Sequence, residues 1–166
     1  MEEKARAQLN EYNALFREMD FLYGEFARTS GLPEAAFWVL YTVREVGPCT
    51  QTMIYQRWAM GKQTINNEVK KLAAMGLLSL TISEKDRRTK LLSLTEKGLH
   101  FVRLHIDIVF KVEEKVFEEL PEPLREALLE ANRRYTEGFR REMTRCLGRA
   151  PAPVANEEVG RKNHGL

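Results

Sequence analysis

Along the first stretch of the chain, apolar residues recur three or four apart at Leu9, Tyr12, Phe16, Met19, Tyr23 and Phe26. That spacing is an a/d seam and predicts an amphipathic helix over the first 28 residues. Leu15 and Leu22 widen the stripe, and Glu11, Glu18 and Glu25 occupy the opposite side. Thr29-Ser30-Gly31-Leu32-Pro33 stops it. A second helix starts at Pro33, is apolar over much of its circumference (Phe37, Trp38, Leu40, Tyr41, Val43), and ends at Gly47-Pro48. A short third helix follows Thr50, an N-cap residue type, with Ile54 and Trp58 on one face. After a break at Met60-Gly61, a fourth runs from about Lys62 to Met75 and closes at Gly76.

The period then changes. Leu78, Leu80 and Ile82 alternate with Ser79, Thr81 and Ser83, and Leu92 and Leu94 with Ser93 and Thr95. Two strands are predicted, joined by the charged loop Glu84-Lys85-Asp86-Arg87-Arg88-Thr89. A further helix is expected from Thr95 to about Leu120, broken by Pro121-Glu122-Pro123. The last is expected from about Leu124 to Leu147, on a seam of Leu124, Leu128, Ala131, Tyr135, Phe139 and Met143. Residues 148–166 carry no apolar period and read as a mobile tail.

A short helix, a turn, a second helix and a hairpin over residues 50–97 make a winged helix-turn-helix, whose second helix is a candidate major-groove reader. On a helical wheel at about 100° per residue, Ile65, Val69 and Leu72 share one stripe. The opposite side presents Gln63, Asn67, Lys70 and Ala74, flanked by Asn66 and Lys71, with Glu68 off to the side. Asn and Gln amides make two-point contacts to adenine, and Lys reaches guanine or phosphate. A solvated polar face looks the same, so charge has to separate the two readings. Residues 61–97 hold eight basic and four acidic side chains, a net +4 against +2 for the whole chain. The basic excess therefore sits on the reader and the hairpin, as a DNA-binding surface requires. At the hairpin tip, Arg87 and Arg88 suit a narrow minor groove, and Asp86 is placed to orient Arg88.

The segments GKQTINNEVKKLAAMGLL and EKDRRTKLLSLTEKG resemble the MarR family of bacterial transcription regulators. The likeness is carried by Lys62-Gln63-Thr64, by Leu72 through Gly76-Leu77, by Asp86 with Arg88, and by Leu94-Thr95 with Gly98. Helix order extends it over roughly residues 5–147. Two positions depart from it: Gly61 stands where a Ser or Thr cap is usual, and Glu68 where a neutral or apolar residue is expected. The resemblance implies a mainly α fold with a small β-hairpin wing, one domain over residues 1–147. Its winged part would span about 33–97, and its dimerisation helices about 5–28 and 96–147.

It also implies a homodimeric repressor on a pseudo-palindromic double-stranded DNA site, released by a small aromatic or anionic effector. Lys62, Gln63, Thr64, Asn66, Asn67, Lys70, Lys71, Asp86, Arg87, Arg88 and Lys90 are the expected DNA-facing residues. Candidates for the effector pocket are Tyr12, Phe16, Trp38 and Tyr41. Two alternatives stay open, a winged helix that binds protein instead of DNA and a metal- or thiol-sensing regulator.

Composition narrows the rest. At 166 residues with 43% apolar content the chain suits one domain, and its longest apolar run is Ala35 to Tyr41, far short of a membrane span. With two cysteines 97 residues apart and no export-type N-terminus, a cytoplasmic protein with reduced thiols is expected. His100 and His105 do not share a helical face, so no metal is expected, and no cofactor either. No phosphate loop or nucleophile elbow appears, and nothing in the sequence argues for an enzyme.

Overall fold

The computed structural model describes residues 2–82 and 89–150. Seven helices and three short strands appear among them: α1 (Glu3–Thr29), α2 (Glu34–Val46), β1 (Cys49–Thr50), α3 (Gln51–Arg57), α4 (Lys62–Ala74), β2 (Leu78–Ile82), β3 (Lys90–Leu94), α5 (Glu96–His105), α6 (Asp107–Glu119) and α7 (Glu122–Leu147). The sheet is antiparallel in the order β1-β3-β2, with Leu78 opposite Leu94 and Leu80 opposite Leu92.

The core gathers around α2, where Ala36 through Val43 are all buried. Against it lie Ile54 from α3, Ile65, Val69 and Leu72 from α4, Leu92 from β3 and Val102 from α5. The apolar stripe expected on the fourth helix is thus the face that α4 buries, which leaves the amide-and-lysine side outward.

Several local signals act as anticipated. The Thr50 hydroxyl accepts from the Met53 amide at 3.2 Å and starts α3. Gly76, at φ 72°, ends α4: its amide bonds Ala73 O at 2.9 Å, and the Leu77 amide bonds Leu72 O at 2.9 Å. This is a Schellman closure, which needs a left-handed residue where glycine is cheapest. The Leu94-Thr95 and Gly98 pattern has an equally local cause. The Thr95 hydroxyl donates to Gly76 O at 2.6 Å and accepts from the Gly98 amide at 2.9 Å. A Cβ on Gly98 would stand 2.0 Å from Leu77 O, so only glycine lets α5 start this close to the end of α4.

Other expectations need correction. The single helix expected from Thr95 to Leu120 is two helices, separated at Ile106 (φ −115°, ψ −39°). No glycine or proline marks this break. It keeps Val102, Ile106 and Val109 buried and starts α6 at Asp107, which Arg44 of α2 holds at 2.8 and 3.1 Å. β1 escaped the sequence reading because two residues carry no period. The alternating leucines of the hairpin do form strands, but only its base reaches the core: Leu78 is buried, whereas Leu80 and Ile82 are exposed. The tip residues 83–88 and most of the expected mobile tail, 151–166, lie outside the described residues.

Candidate nucleic-acid interface and adjoining cavity

α4 presents Lys62, Gln63, Thr64, Asn67, Lys70 and Lys71 to solvent, with Asn66 half-buried at the edge of the same face. No side-chain cap holds its N-terminus, which follows from Gly61. The Gln63 amide Nε2 donates to Asn67 Oδ1 at 2.9 Å. This bond uses one amide atom of each and leaves Gln63 Oε1 as an acceptor and Asn67 Nδ2 as a donor, the pair that an adenine edge complements. Glu68 is buried on the flank, and the Lys71 ammonium donates to its carboxylate at 2.7 Å. The acid that seemed out of place on a reader helix is therefore neutralised from within the same helix.

Lys90 opens β3 and is exposed, whereas Asp86, Arg87 and Arg88 lie outside the described residues. One member of this surface escaped the sequence reading. The Tyr55 ring of α3 lies 5.1 Å beneath the Lys62 ammonium, and its phenol is pulled below the ordinary value by a hydrogen bond with Thr52 and by Lys62. Helical spacing could not reveal it, because the contact bridges two helices across a turn.

Behind α4, residues of α1, α2, α3, α6 and the α3–α4 turn line a cavity of about 640 Å³ that opens to solvent. Its inner wall is aromatic. Trp38 and Trp58 stack with ring centroids 4.1 Å apart, and Tyr23 and Tyr41 pack on Trp38 at 5.6 and 5.2 Å. The Trp58 indole N–H donates to the Thr42 hydroxyl at 2.8 Å. Glu113 of α6 accepts from the Tyr23 hydroxyl at 2.7 Å and from the Tyr41 hydroxyl at 3.0 and 3.1 Å. Burial first, and then the Glu113 carboxylate, push both phenols well above the ordinary value of 10.

Of the four candidate pocket residues, Trp38 and Tyr41 line this cavity and Tyr12 and Phe16 do not. The latter two sit two to three helical turns nearer the start of α1, where Tyr12 meets Tyr135 of α7 at 5.0 Å and Phe16 is 60% exposed. The first half of the seam thus faces α7 and solvent, whereas its later members Tyr23 and Phe26 turn to the cavity and the core. Trp58 and Glu113 were missed. Trp58 carried a signal in its four-residue offset from Ile54, whereas Glu113 sits in a charged run with nothing to distinguish it.

Among the described residues, no three His, Cys, Asp or Glu side chains are placed to hold a metal, and His105 instead packs on Phe101 at 4.4 Å. Cys49 is buried in β1 and Cys146 is exposed on α7. No described helix is long and apolar enough to cross a membrane.

Residues 30–89 match the MarR family model, and the match covers α2 through the reader helix and the first wing strand. Over that segment the chain is similar to the MarR family. Beyond that segment, the MarR likeness spans most of the molecule. A MarR family regulator from Neisseria meningitidis is 27% identical, with a TM-score of 0.71 over 83% of this chain and 97% of that one. Bordetella bronchiseptica BpsR, whose DNA binding is regulated by 6-hydroxynicotinic acid, is 25% identical, with a TM-score of 0.54 over 75% of this chain and 91% of that one. Staphylococcus aureus MarR, solved with salicylate and kanamycin, shares the fold at 20% identity, with a TM-score of 0.63 over 83% of this chain and 93% of that one. No curated protein matches the chain.

Proposed function

We propose that this MarR-type chain is a homodimeric, sequence-specific binder of double-stranded DNA that represses transcription until a small molecule releases it. The observation that carries the reading is the unpacked outer face of α4. Gln63, Asn67, Lys70 and Lys71 project from the helix while Ile65, Val69 and Leu72 anchor it. Gln63 and Asn67, with Asn66 beside them, would read base edges. Lys62, Thr64, Lys70, Lys71 and Lys90 would take phosphates and groove walls. Arg87 and Arg88 would enter the minor groove, with Asp86 orienting Arg88.

Dimerisation is supported by the two end helices. α1 leaves Leu15, Phe16, Met19 and Leu22 exposed, and α7 buries none of its residues yet carries Leu124, Leu128, Tyr135 and Phe139. Apolar seams of this extent mark an association surface. A two-fold pair would set its readers about 34–36 Å apart, one DNA turn, on a pseudo-palindromic site. Release is supported by the position of the cavity. Arg57, Trp58 and Met60 line it and also belong to the end of α3 and the turn before α4. A ligand that moves them moves the reader.

A mobility-shift titration against genomic fragments, repeated at rising salt, tests the reading. Binding at low salt that weakens steeply with added salt is expected, because phosphate neutralisation releases counterions. Absence of binding at low salt, or affinity indifferent to salt, refutes it.

A further inference from the structure

We propose that the cavity is a receptor for an organic cation with an aromatic body, held between the Trp38 and Trp58 indoles and the Glu113 carboxylate. The proposal rests on the effector reading above only for its regulatory consequence.

Charge is the first argument. Three acids, Asp20, Glu34 and Glu113, face two arginines, Arg28 and Arg57, around the cavity. Both arginines already have acids that do not line it. Arg57 is 2.7 Å from Glu45, and Arg28 pairs with Glu25 and lies over the Phe21 ring. Two of the lining carboxylates take neutral donors instead: Glu113 accepts from two phenols, and Glu34 accepts from the Trp38 indole N–H at 3.4 Å. A neutral donor stabilises a carboxylate without cancelling its charge. An entering molecule therefore meets an excess of negative charge, with Arg57 held by Glu45 and Arg28 at the exposed edge in a surface pair with Glu25. Burial is the main cause of the upward displacement of the Tyr41 phenol, and the Glu113 and Glu45 carboxylates add to it in the same direction.

The second argument is the shape and chemistry of the wall. Indole faces attract cations through their quadrupole, more strongly when water is excluded. Trp38 is 6% exposed and backs the wall, while the half-buried rings of Trp58 and Tyr23, packed on it at 4.1 and 5.6 Å, give the cavity its open aromatic surface. About 640 Å³ accommodates a compact organic molecule. An anion of the same size would trade its hydration for a carboxylate it cannot pair with.

The chain has only two tryptophans, and both stand in this wall, so tryptophan-selective fluorescence reports on the cavity alone. The test titrates the full chain with three probes of similar size: benzyltrimethylammonium, benzoate and benzyl alcohol. Calorimetry serves as a second readout. Saturable quenching by the ammonium compound is expected, with affinity at least about tenfold above the other two. Glu113→Gln should remove most of that preference, and Glu34→Gln part of it, in protein whose thermal unfolding remains cooperative. The inference is overturned if benzoate binds as tightly as the cation, if no probe saturates, or if the preference survives both substitutions. DNA binding is measured on the same preparation. Cation preference without DNA binding leaves the receptor standing and removes the regulator, and DNA binding without cation preference does the reverse.

Discussion

The two parts of this chain treat their apolar residues in opposite ways. In α2, eight consecutive residues are buried, and α3, α4, β3 and α5 close around them. In α7, twice as long, none is buried, and in α1 only Ala27 is. Yet α1 and α7 carry seams as regular as any in the molecule. The difference teaches that periodicity reports a face to be covered and says nothing of what covers it. The winged part covers its own apolar residues within one chain, whereas the end helices leave theirs open, as the proposed dimer requires.

Breaking the closed part should cost most. Phe37→Ala empties a fully buried position at the centre of α2 and is expected to lose about 3–5 kcal/mol, read by chemical denaturation. A loss below about 1 kcal/mol would show that the core is looser than its burial implies. Breaking the open part should leave the fold intact. Leu128→Glu with Phe139→Glu places charges on the exposed α7 seam. Sedimentation should then show monomers with unchanged helical content, and DNA affinity should fall at least about a hundredfold through lost bivalency. If the double variant unfolds, the seam serves the protomer's own core and the contrast between the two regions fails.

Smaller effects sharpen the picture at the reader. Asn67→Ala removes the outward amide and its bond to Gln63, and should weaken specific DNA binding by about 1–3 kcal/mol without changing stability. An unchanged mobility-shift midpoint would remove Asn67 from the interface. The smallest effect is a pH dependence. Tyr23 and Tyr41 have phenols raised above 10 in the folded protein, so the folded state holds their protons more tightly than the unfolded chain does. Their contribution is complete below pH 10 and is lost as pH rises beyond it. Thermal unfolding should shift downward only in that alkaline range, and phenolate absorbance should show two of the five tyrosines titrating late. A decline that begins near neutrality would need another cause.

Much of this was legible before any coordinates. The Ile65, Val69 and Leu72 stripe implied the outward amide face, Gly76 the end of α4, and Thr95 the start of α5. The resemblance drawn on Gly98 has its cause in a single contact with Leu77 O. The break at Ile106 was not legible, because no breaker residue causes it: a buried stripe and the Arg44–Asp107 pair hold it. The cavity was half legible. Trp38 and Tyr41 stood out as large aromatics on a buried helix, while the seam that singled out Tyr12 and Phe16 reaches the cavity only at Tyr23, further along α1.

The sequence by itself determined the helices apart from the break between α5 and α6, the turn chemistry that separates them, and which side of α4 faces out. Each depends on residues a few positions apart, whose interactions are set by backbone geometry and local caps. Tertiary structure alone decided that Glu113, 72 residues from Tyr41 and 90 from Tyr23, would receive both phenols. It alone decided that Trp58 would stack on Trp38, and that Arg57 at the cavity would be claimed by Glu45 of another helix. Those pairings join elements far apart in the chain, and no spacing rule encodes which distant partner a side chain meets once the helices have packed.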